Sequence, residues 1–182
     1  ETEEVIDVHE VMTSTIRMVI NDLRHRAILE EDFSNEPLYT SVPESRLGQV
    51  LLNLVVNAVQ ALPTGRATEN FVRISTRALD ERTIEIQVAD SGPGIPEDKL
   101  KTIFTPFYTT KSSAGGSGLG LALCQNIVSE VGGSLQAENA PEGGAVFTVR
   151  IPRVGDEETA EHGFTVEETP QVRGRVLLID DN

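Results

Sequence analysis

The sequence predicts an α/β protein, a two-layer sandwich in which an open sheet carries helices on one face. Long stretches have apolar residues at helical spacing, and shorter stretches alternate apolar and polar residues as half-buried strands do. The helical stretches are 7–27, 47–62 and 118–131, and the best strand stretches are 72–76, 84–88, 134–139 and 145–151.

Composition bounds the functional classes. The chain has 182 residues, enough for one sizeable domain plus extensions. Its net charge of −14 argues against nucleic-acid binding, which needs a basic surface. The single cysteine, Cys124, excludes an internal disulfide and favours the cytoplasm. No long apolar run or signal-like start occurs, so we expect no membrane segment here, although a longer parent protein could be membrane-anchored.

The first helix is predicted to begin at Asp7, because Asp7 followed by Glu10 resembles a capping box. Two weakly patterned strand candidates follow, at 28–33 and 37–42. The second helix is more informative because its polar residues are neutral amides on one stripe. These residues are Gln49, Asn53, Asn57 and Gln60. An ordinary solvated face would more often carry charged residues, so the stripe favours a polar pocket over a plain wet side.

The remaining elements alternate with glycine-rich breaks. Strands 72–76 and 84–88 form a predicted hairpin, followed by a break at 90–96 and a short helix at 97–104. The loop 105–117, with its threonines, serines and glycines, is expected to be mobile. The third helix ends at a Gly-Gly pair, and the last two strands complete the sheet. We expect the domain to span residues 28–152.

Beyond Pro152 the composition turns to Glu, Thr, Gly and Pro, which predicts a solvated linker over 153–174. The segment 175–182 then contains an apolar run followed by Asp180 and Asp181. Because an isolated strand cannot bury itself, we infer that a second domain starts here.

Two glycine-rich segments carry candidate chemistry. Gly116, Gly118 and Gly120 lie where a loop becomes a helix, and free amides at a helix start suit phosphate. A merely flexible loop is the alternative, and the segment lacks the context of a dinucleotide fingerprint or a P-loop. Asp90 ends a strand and precedes Gly92, so it could accept a hydrogen bond from the exocyclic amine of adenine. The alternative is a turn carboxylate that caps its own amides.

In order along the chain, these features resemble four boxes of the catalytic ATP-binding domain of sensor histidine kinases. The amide-lined helix resembles the N box, Asp90-x-Gly-x-Gly the G1 box, Phe104-Thr-Pro-Phe107 the F box and Gly116-x-Gly-Leu-Gly-Leu the G2 box. The fold group also includes the ATPase domains of gyrase, heat-shock chaperones and MutL. The resemblance covers roughly 30–152 and implies a Bergerat-type fold with a mixed sheet of about five strands.

The resemblance also implies the roles of individual residues. Asn53 and Asn57 would hold the Mg²⁺ that bridges the ATP phosphates. Asn57 and Lys111 would be catalytic, with Lys111 reaching the terminal phosphate, although one more solvated lysine is the alternative. Phe104 and Phe107 would anchor the lid. Nucleotide contacts are implied for Asn53, Asn57, Asp90, Gly92, Gly94, Ile95, Phe104, Lys111, Gly116, Gly118, Leu119 and Gly120.

The nucleophile has to come from elsewhere. Gyrase-like hydrolases carry a glutamate base at the position of Asn53, and an amide cannot serve as a base, so direct hydrolysis is disfavoured. The resemblance implies transfer to a histidine on a separate helical dimerisation domain, to which 1–27 would be the helical connection. His9 precedes Glu10 as in the acceptor motif but lies too close to the N box, and neither His25 nor His162 has better context.

Partners and alternatives follow from the same resemblance. The segment 175–182 resembles the first strand of a receiver domain, so we expect a receiver domain in cis or a separate response regulator. A generic strand followed by acids is the alternative. Two other functional classes remain open: a serine kinase of the anti-sigma-factor type, and a regulatory module that binds adenine nucleotides without transfer.

Overall fold

The computed structural model describes residues 4–107 and 118–155, together with the backbone of 175–177. Within these residues the chain forms helices on one side of a sheet. The helices are α1 (Val8–Arg24), α2 (Glu44–Ala61) and α3 (Gly120–Glu130), and the strands are β1 (Ile6–Asp7), β2 (Ile28–Asp32), β3 (Tyr39–Thr40), β4 (Phe71–Asp80), β5 (Thr83–Asp90), β6 (Ser134–Asn139), β7 (Ala145–Pro152) and β8 (Arg175–Leu177).

The main sheet has the strand order β6-β7-β5-β4-β2-β8. Strand β2 pairs with β4 in parallel, and the other neighbours are antiparallel. The predicted mixed sheet of about five strands is therefore confirmed by β2 and β4 to β7, with β8 added at the edge. The short strands β1 and β3 form a separate antiparallel pair.

One face of the sheet packs on the helices. Along β4, the buried Val72 and Ile74 flank the exposed Arg73, so a single alternation separates the core from the open face. Helix α2 contributes fully buried leucines such as Leu51 and Leu54 to the same core. Burial of each such side chain is worth about 1.5–3 kcal/mol. The predicted α/β sandwich with helices on one face is confirmed.

Helix α1 begins where the sequence predicts. Asp7 is its N-cap, and the Asp7 side chain accepts a hydrogen bond from the backbone N–H of His9 at 2.8 Å. The helix ends at Arg24 rather than at Ala27. Its buried face, which includes Val8 and Met12, belongs to the same apolar core as α2 and the sheet. The predicted division between 1–27 and 28–152 stays a prediction.

The predicted short helix at 97–104 is wrong, because the segment forms successive turns. The N–H groups of Lys99 and Thr102 each bond to a carbonyl three residues back, and Ile103 bonds to Lys99 four residues back. A helix needs an unbroken series of the longer bonds. The buried side chain of Ile103 holds this segment against the core instead.

The candidate strand at 37–42 is shorter than expected and is reduced to β3. At the other end of the chain, residues 156–174 and 178–182 lie outside the described residues, among them most of the predicted linker and both Asp180 and Asp181. The backbone of β8 pairs with β2, placing Leu177 opposite Leu29. That this segment begins a receiver-like domain stays a prediction.

Candidate functional site

The polar stripe of α2 lies as its periodicity predicts. Gln49 and Gln60 are exposed, whereas Asn53 and Asn57 are half-buried. The helix packs against α1, α3 and β5, so the two asparagines lie between the core and the surface. A half-buried position is where an amide can be held in one orientation and still contact a ligand.

Neighbours in α2 and α3 orient Asn53. Its Nδ2 donates to the carbonyl oxygen of Gln49 at 3.0 Å. Its Oδ1 lies 3.1 Å from the point that a Cβ on Gly120 would occupy, so a larger residue at 120 would press on this oxygen. The thiol of Cys124 interacts with the same side chain. The amide oxygen of Asn53 is thus held close to the first residue of α3, in a space that a glycine keeps open.

Cys124 itself is a packing residue. It is fully buried, and its Sγ lies 3.8 Å from the carbonyl oxygen of Val50. Burial raises the pKa of the Cys124 thiol to about 12, so the thiol is neutral at physiological pH. Cys124 is therefore a small buried hydrophobic residue that supports the α2–α3 contact.

Asn57 lies one helical turn after Asn53 on the same face. Its side chain makes no hydrogen bond to any other residue that the structure describes. Asn57 is therefore available to bind a ligand without first breaking an internal contact.

The amide oxygens of Asn53 and Asn57 suit a magnesium ion that is shared with a ligand. Within the described residues, no group of three or more His, Cys, Asp or Glu side chains comes together, so a self-contained metal cage is not formed there. Asn53 and Asn57 instead supply neutral oxygens of the kind that Mg²⁺ accepts when phosphates and water complete its coordination. The space kept open at Gly120 beside Asn53 Oδ1 is consistent with such a shared site.

Asp90 ends β5 on the helix-covered face of the sheet, opposite Val72. Its residue surface is only 3% exposed. Its Oδ1 accepts hydrogen bonds from the backbone N–H groups of Gly92 at 2.8 Å and Ala145 at 3.5 Å. Described residues donate none to Oδ2. Burial raises the pKa of Asp90, while these two bonds oppose the shift. One oxygen therefore caps the turn, and the other can accept from a ligand.

The glycines after Asp90 are required by protein atoms that lie very close. A Cβ on Gly92 would lie 2.7 Å from Asp90 Oδ1 and 3.2 Å from the carbonyl oxygen of Ala61. Gly94 has a φ of 77°, and a Cβ there would lie 2.8 Å from Asn139 Oδ1. The loop is thus fixed by contacts within the protein. Its predicted approach to a nucleotide base, including the contact from Ile95, stays a prediction.

Sequence reasoning missed two residues that support this loop. Asn139 Nδ2 donates to the carbonyl oxygen of Ile95 at 2.7 Å, and Asn139 Oδ1 accepts from the N–H of Ile95 at 2.7 Å. Gly144 has a φ of 87°, and a Cβ there would overlap the carbonyl oxygen of Asp90. An asparagine at the end of a strand was the available signal, but its partner lies 44 positions away.

The start of α3 matches the glycine pattern only in part. Gly118 has a φ of 65°, Leu119 is the N-cap residue, and Gly120 is the first helical residue. Among the described residues, no side chain caps this end by a hydrogen bond. Gly116 and Lys111 lie outside the described residues. Phosphate contacts from all five residues stay predictions.

The two phenylalanines of the F box differ. Phe104 is half-buried and packs against the core, as a lid anchor should. The same prediction is wrong for Phe107, which is 75% exposed and has a φ of 67°. The N–H of Phe107 donates to the carbonyl oxygen of Gly118 at 2.9 Å. This bond joins the two ends of the segment 108–117, which lies outside the described residues.

His9 has a structural role. Its ring stacks on Phe33 at 5.3 Å between centroids and 4° between planes. Its Nε2 is 2.8 Å from Thr76 Oγ1, which also accepts a hydrogen bond from the N–H of Ser34. These contacts support its exclusion as a phosphoacceptor. His25, at the end of α1, is exposed.

A cavity of about 360 Å³ lies on the other, helix-free face of the sheet. Its lining includes Phe71, Arg73 and Gln87 and also Asp90 and Asn139, but neither Asn53 nor Asn57. Arg73 is paired with Glu30 at 2.7 Å and lies over the Phe71 ring. The cavity adjoins the predicted nucleotide groove at Asp90, although most of its lining is on the helix-free face.

Comparisons with known proteins agree with this geometry. The model of the family described as histidine kinase-, DNA gyrase B-, and HSP90-like ATPase matches residues 43–155. Sensor histidine kinase ZraS of Klebsiella oxytoca is 41% identical over 154 residues, covering 84% of this chain and 32% of that protein. The catalytic domain of histidine kinase ThkA is 31% identical with a TM-score of 0.72, over 82% of this chain and 95% of that one.

ThkA has also been solved in complex with the response regulator protein TrrA, in a structure 30% identical to this chain with a TM-score of 0.66, over 83% of this chain and 42% of that one. The chain therefore belongs to the family of histidine kinase-, DNA gyrase B- and HSP90-like ATPases, and within it to the catalytic ATP-binding domains of two-component sensor histidine kinases. It spans about a third of the length of the curated sensor kinases it matches. Among the described helices, none has the length and apolar character needed to cross a bilayer.

Proposed function

We propose that this domain binds Mg-ATP in the groove between α2, the loop after β5 and the start of α3, and transfers the γ-phosphoryl group to a histidine of its parent kinase. The observation that carries the proposal is that the two oxygens of the Asp90 carboxylate differ in their hydrogen bonding. Its Oδ1 is committed to backbone N–H groups, and Oδ2 receives no bond from described residues. An accessible acceptor on an otherwise buried carboxylate favours a ligand with an amino group, as adenine has.

In this proposal Asp90 accepts a hydrogen bond from the adenine amino group, and Asn53 and Asn57 hold Mg²⁺ through their amide oxygens. When bound, the ion neutralises charge on the phosphates. Gly118 and Gly120 would present backbone amides to the same phosphates. Roles for Gly116 and Lys111 belong to the proposal as well, although both residues lie outside the described part of the chain.

Transfer is favoured over hydrolysis because the groove has no suitable base at the key position. Asn53 is a neutral amide whose Nδ2 is committed to the carbonyl oxygen of Gln49. Such a group cannot take a proton from water at ordinary pH. Phosphoryl transfer depends mainly on positioning and charge neutralisation, so a prepared ATP needs only an external nucleophile. That nucleophile is proposed to be a histidine on a helical dimerisation domain.

The proposed partners follow from the relatives. ThkA binds the response regulator TrrA, and we propose that the parent of this domain passes its phosphoryl group to a receiver domain in cis or to a separate response regulator. The proposed compartment is the cytoplasm, where a single buried thiol such as Cys124 stays reduced.

A phosphotransfer assay tests the reaction. The domain is incubated with labelled Mg-ATP and a separately produced helical domain from its parent kinase. We expect acid-labile, alkali-stable phosphate on the helical domain. Asn57→Ala should reduce the rate by at least about tenfold, the order of loss expected at a metal site. Gln49→Ala, an exposed change on the same stripe, should leave the rate unchanged.

Two results would contradict the proposal. Acid-stable phosphate on serine would support the serine-kinase alternative. Release of inorganic phosphate by the domain alone, at the rate seen with the helical domain, would show that water is the acceptor.

A further inference from the structure

The side-chain amide of Asn139 binds the loop after β5 with a pair of hydrogen bonds like those between neighbouring strands. Both its amide atoms bond to Ile95: Nδ2 donates to the carbonyl oxygen and Oδ1 accepts from the N–H, each at 2.7 Å. These distances lie at the short end for hydrogen bonds to an amide. Asn139 therefore imitates one more residue of an adjacent strand and attaches Ile95 to the end of β6.

The same β6–β7 connection also supports the other end of the loop. The N–H of Ala145 donates to Asp90 Oδ1 at 3.5 Å, and Gly144 leaves just enough room for the carbonyl oxygen of Asp90. In the sheet, Asn139 is opposite Ala145, on the same face as Asp90. Residues 139–145 thus hold both the carboxylate and the segment that follows it.

We propose that Asn139 is a positioning residue for base recognition, acting through Ile95 to hold the loop beside Asp90 in the shape that admits adenine. This inference rests on the proposed nucleotide-binding function. Asn139 is not proposed to touch the phosphates, since Asn53, Asn57 and the start of α3 supply those contacts. Loss of its side chain should therefore weaken binding of a nucleotide but not binding of a phosphate chain that has no base.

The first test compares ADP with inorganic tripolyphosphate, each with Mg²⁺, by calorimetry on wild-type protein and Asn139→Ala. Loss of two hydrogen bonds predicts that ADP binds up to about thirtyfold more weakly to the variant. Tripolyphosphate should bind equally well to both proteins. Gln136→Ala is the matched control, because Gln136 is exposed on the same strand and faces the other way. It should bind both ligands as the wild type does.

A second variant separates positioning from general loss of structure. In Asn139→Asp, the ionised carboxylate can accept from the Ile95 N–H but cannot donate to the Ile95 carbonyl oxygen. Protonation restores the donor, so the ratio of variant to wild-type ADP affinity should rise toward one as the pH falls through about 3.9, the ordinary pKa of an aspartate. Titration of Asp90 affects both proteins and cancels in this ratio.

The outcomes distinguish the two levels of the proposal. If wild-type protein fails to bind ADP, the proposed function and this inference both fall. If wild-type binds ADP and Asn139→Ala binds it equally well, only the inference is overturned. Equal loss of ADP and tripolyphosphate, or a pH-independent ratio for Asn139→Asp, would also overturn it by showing that the residue acts only on the fold.

Discussion

At the scale of single residues, the site is built from side chains whose hydrogen bonds within the protein use only some of their polar atoms. Asp90 binds backbone through Oδ1, and Asn53 binds backbone through Nδ2. Each side chain retains an oxygen to which no described residue donates a hydrogen bond. The internal bonds fix the side chain, and the remaining oxygen can meet a ligand without a conformational search.

The Asp90 carboxylate gives a prediction with a definite sign. Asp90→Asn should weaken ADP binding about 10- to 100-fold, since hydrogen bonds to charged groups contribute about 1.5–3 kcal/mol. Because burial raises the pKa of Asp90, wild-type affinity should fall as the pH drops through that raised pKa, where the acceptor becomes protonated. Calorimetry over a pH series measures both effects.

The unfolding free energy supplies a check on the same residue. The pKa of Asp90 is higher in the folded protein than in the unfolded chain. The free energy of unfolding should therefore decrease as the pH rises from the unfolded pKa through the folded one. Asp90→Asn should not show this decrease in unfolding free energy, whereas Asp32→Asn, at an exposed position on β2, should still show it.

Unchanged ADP affinity in Asp90→Asn would refute base recognition by this residue.

At the scale of elements, His9 attaches α1 to the sheet. Its ring joins the first turn of the helix to Phe33 and to Thr76 on β4. Burial lowers the pKa of His9, and the nearby Asp7 carboxylate opposes this with a smaller effect. Folded His9 is therefore neutral at pH values where an unfolded histidine is already charged.

Linkage gives the pH dependence of this attachment. The stability that His9 contributes is present above its unfolded pKa of about 6.5 and is lost as the pH falls from there through the lowered folded pKa. Denaturant unfolding should show this slope in wild-type protein and not in His9→Gln, which should also lose about 1 kcal/mol at neutral pH. His25→Gln, at the exposed end of the same helix, should keep the slope. A slope shared by all three proteins would mean that another group titrates.

Local pattern predicted some elements better than others. Helix α2 and its amide stripe could be predicted because a period of 3.6 residues is visible within the sequence itself. The turns at 97–104 could not be predicted. A short segment with one apolar residue, Ile103, among polar residues fits a helical pattern as well as it fits turns, and only the hydrogen bonds distinguish the two. The contact between Asn139 and Ile95 was invisible for another reason: it joins positions 44 apart, and no periodicity reports on such pairs.

At the scale of the whole molecule, the connection from β2 to β4 places the site. These strands are parallel, so the chain must cross over the sheet between them, and α2 is the crossover helix. The crossover packs α2 against β5 and places Ala61, the last residue of the helix, next to the loop that follows Asp90. The mixed sheet was expected from the four boxes and is confirmed, but the register of β2 rests on long-range pairing that its weak pattern did not reveal.

The most direct measurement of the central claim is calorimetric titration of the domain with ADP, in Mg²⁺ and in chelator. Wild-type protein should bind Mg-ADP with a Kd below about 1 mM. Asn57→Ala should lose most of the advantage that Mg²⁺ gives, while binding metal-free ADP nearly as well as wild type. The groove described above would be contradicted if wild-type protein gave no binding heat with Mg-ADP, or if Asn57→Ala weakened both forms of the nucleotide equally.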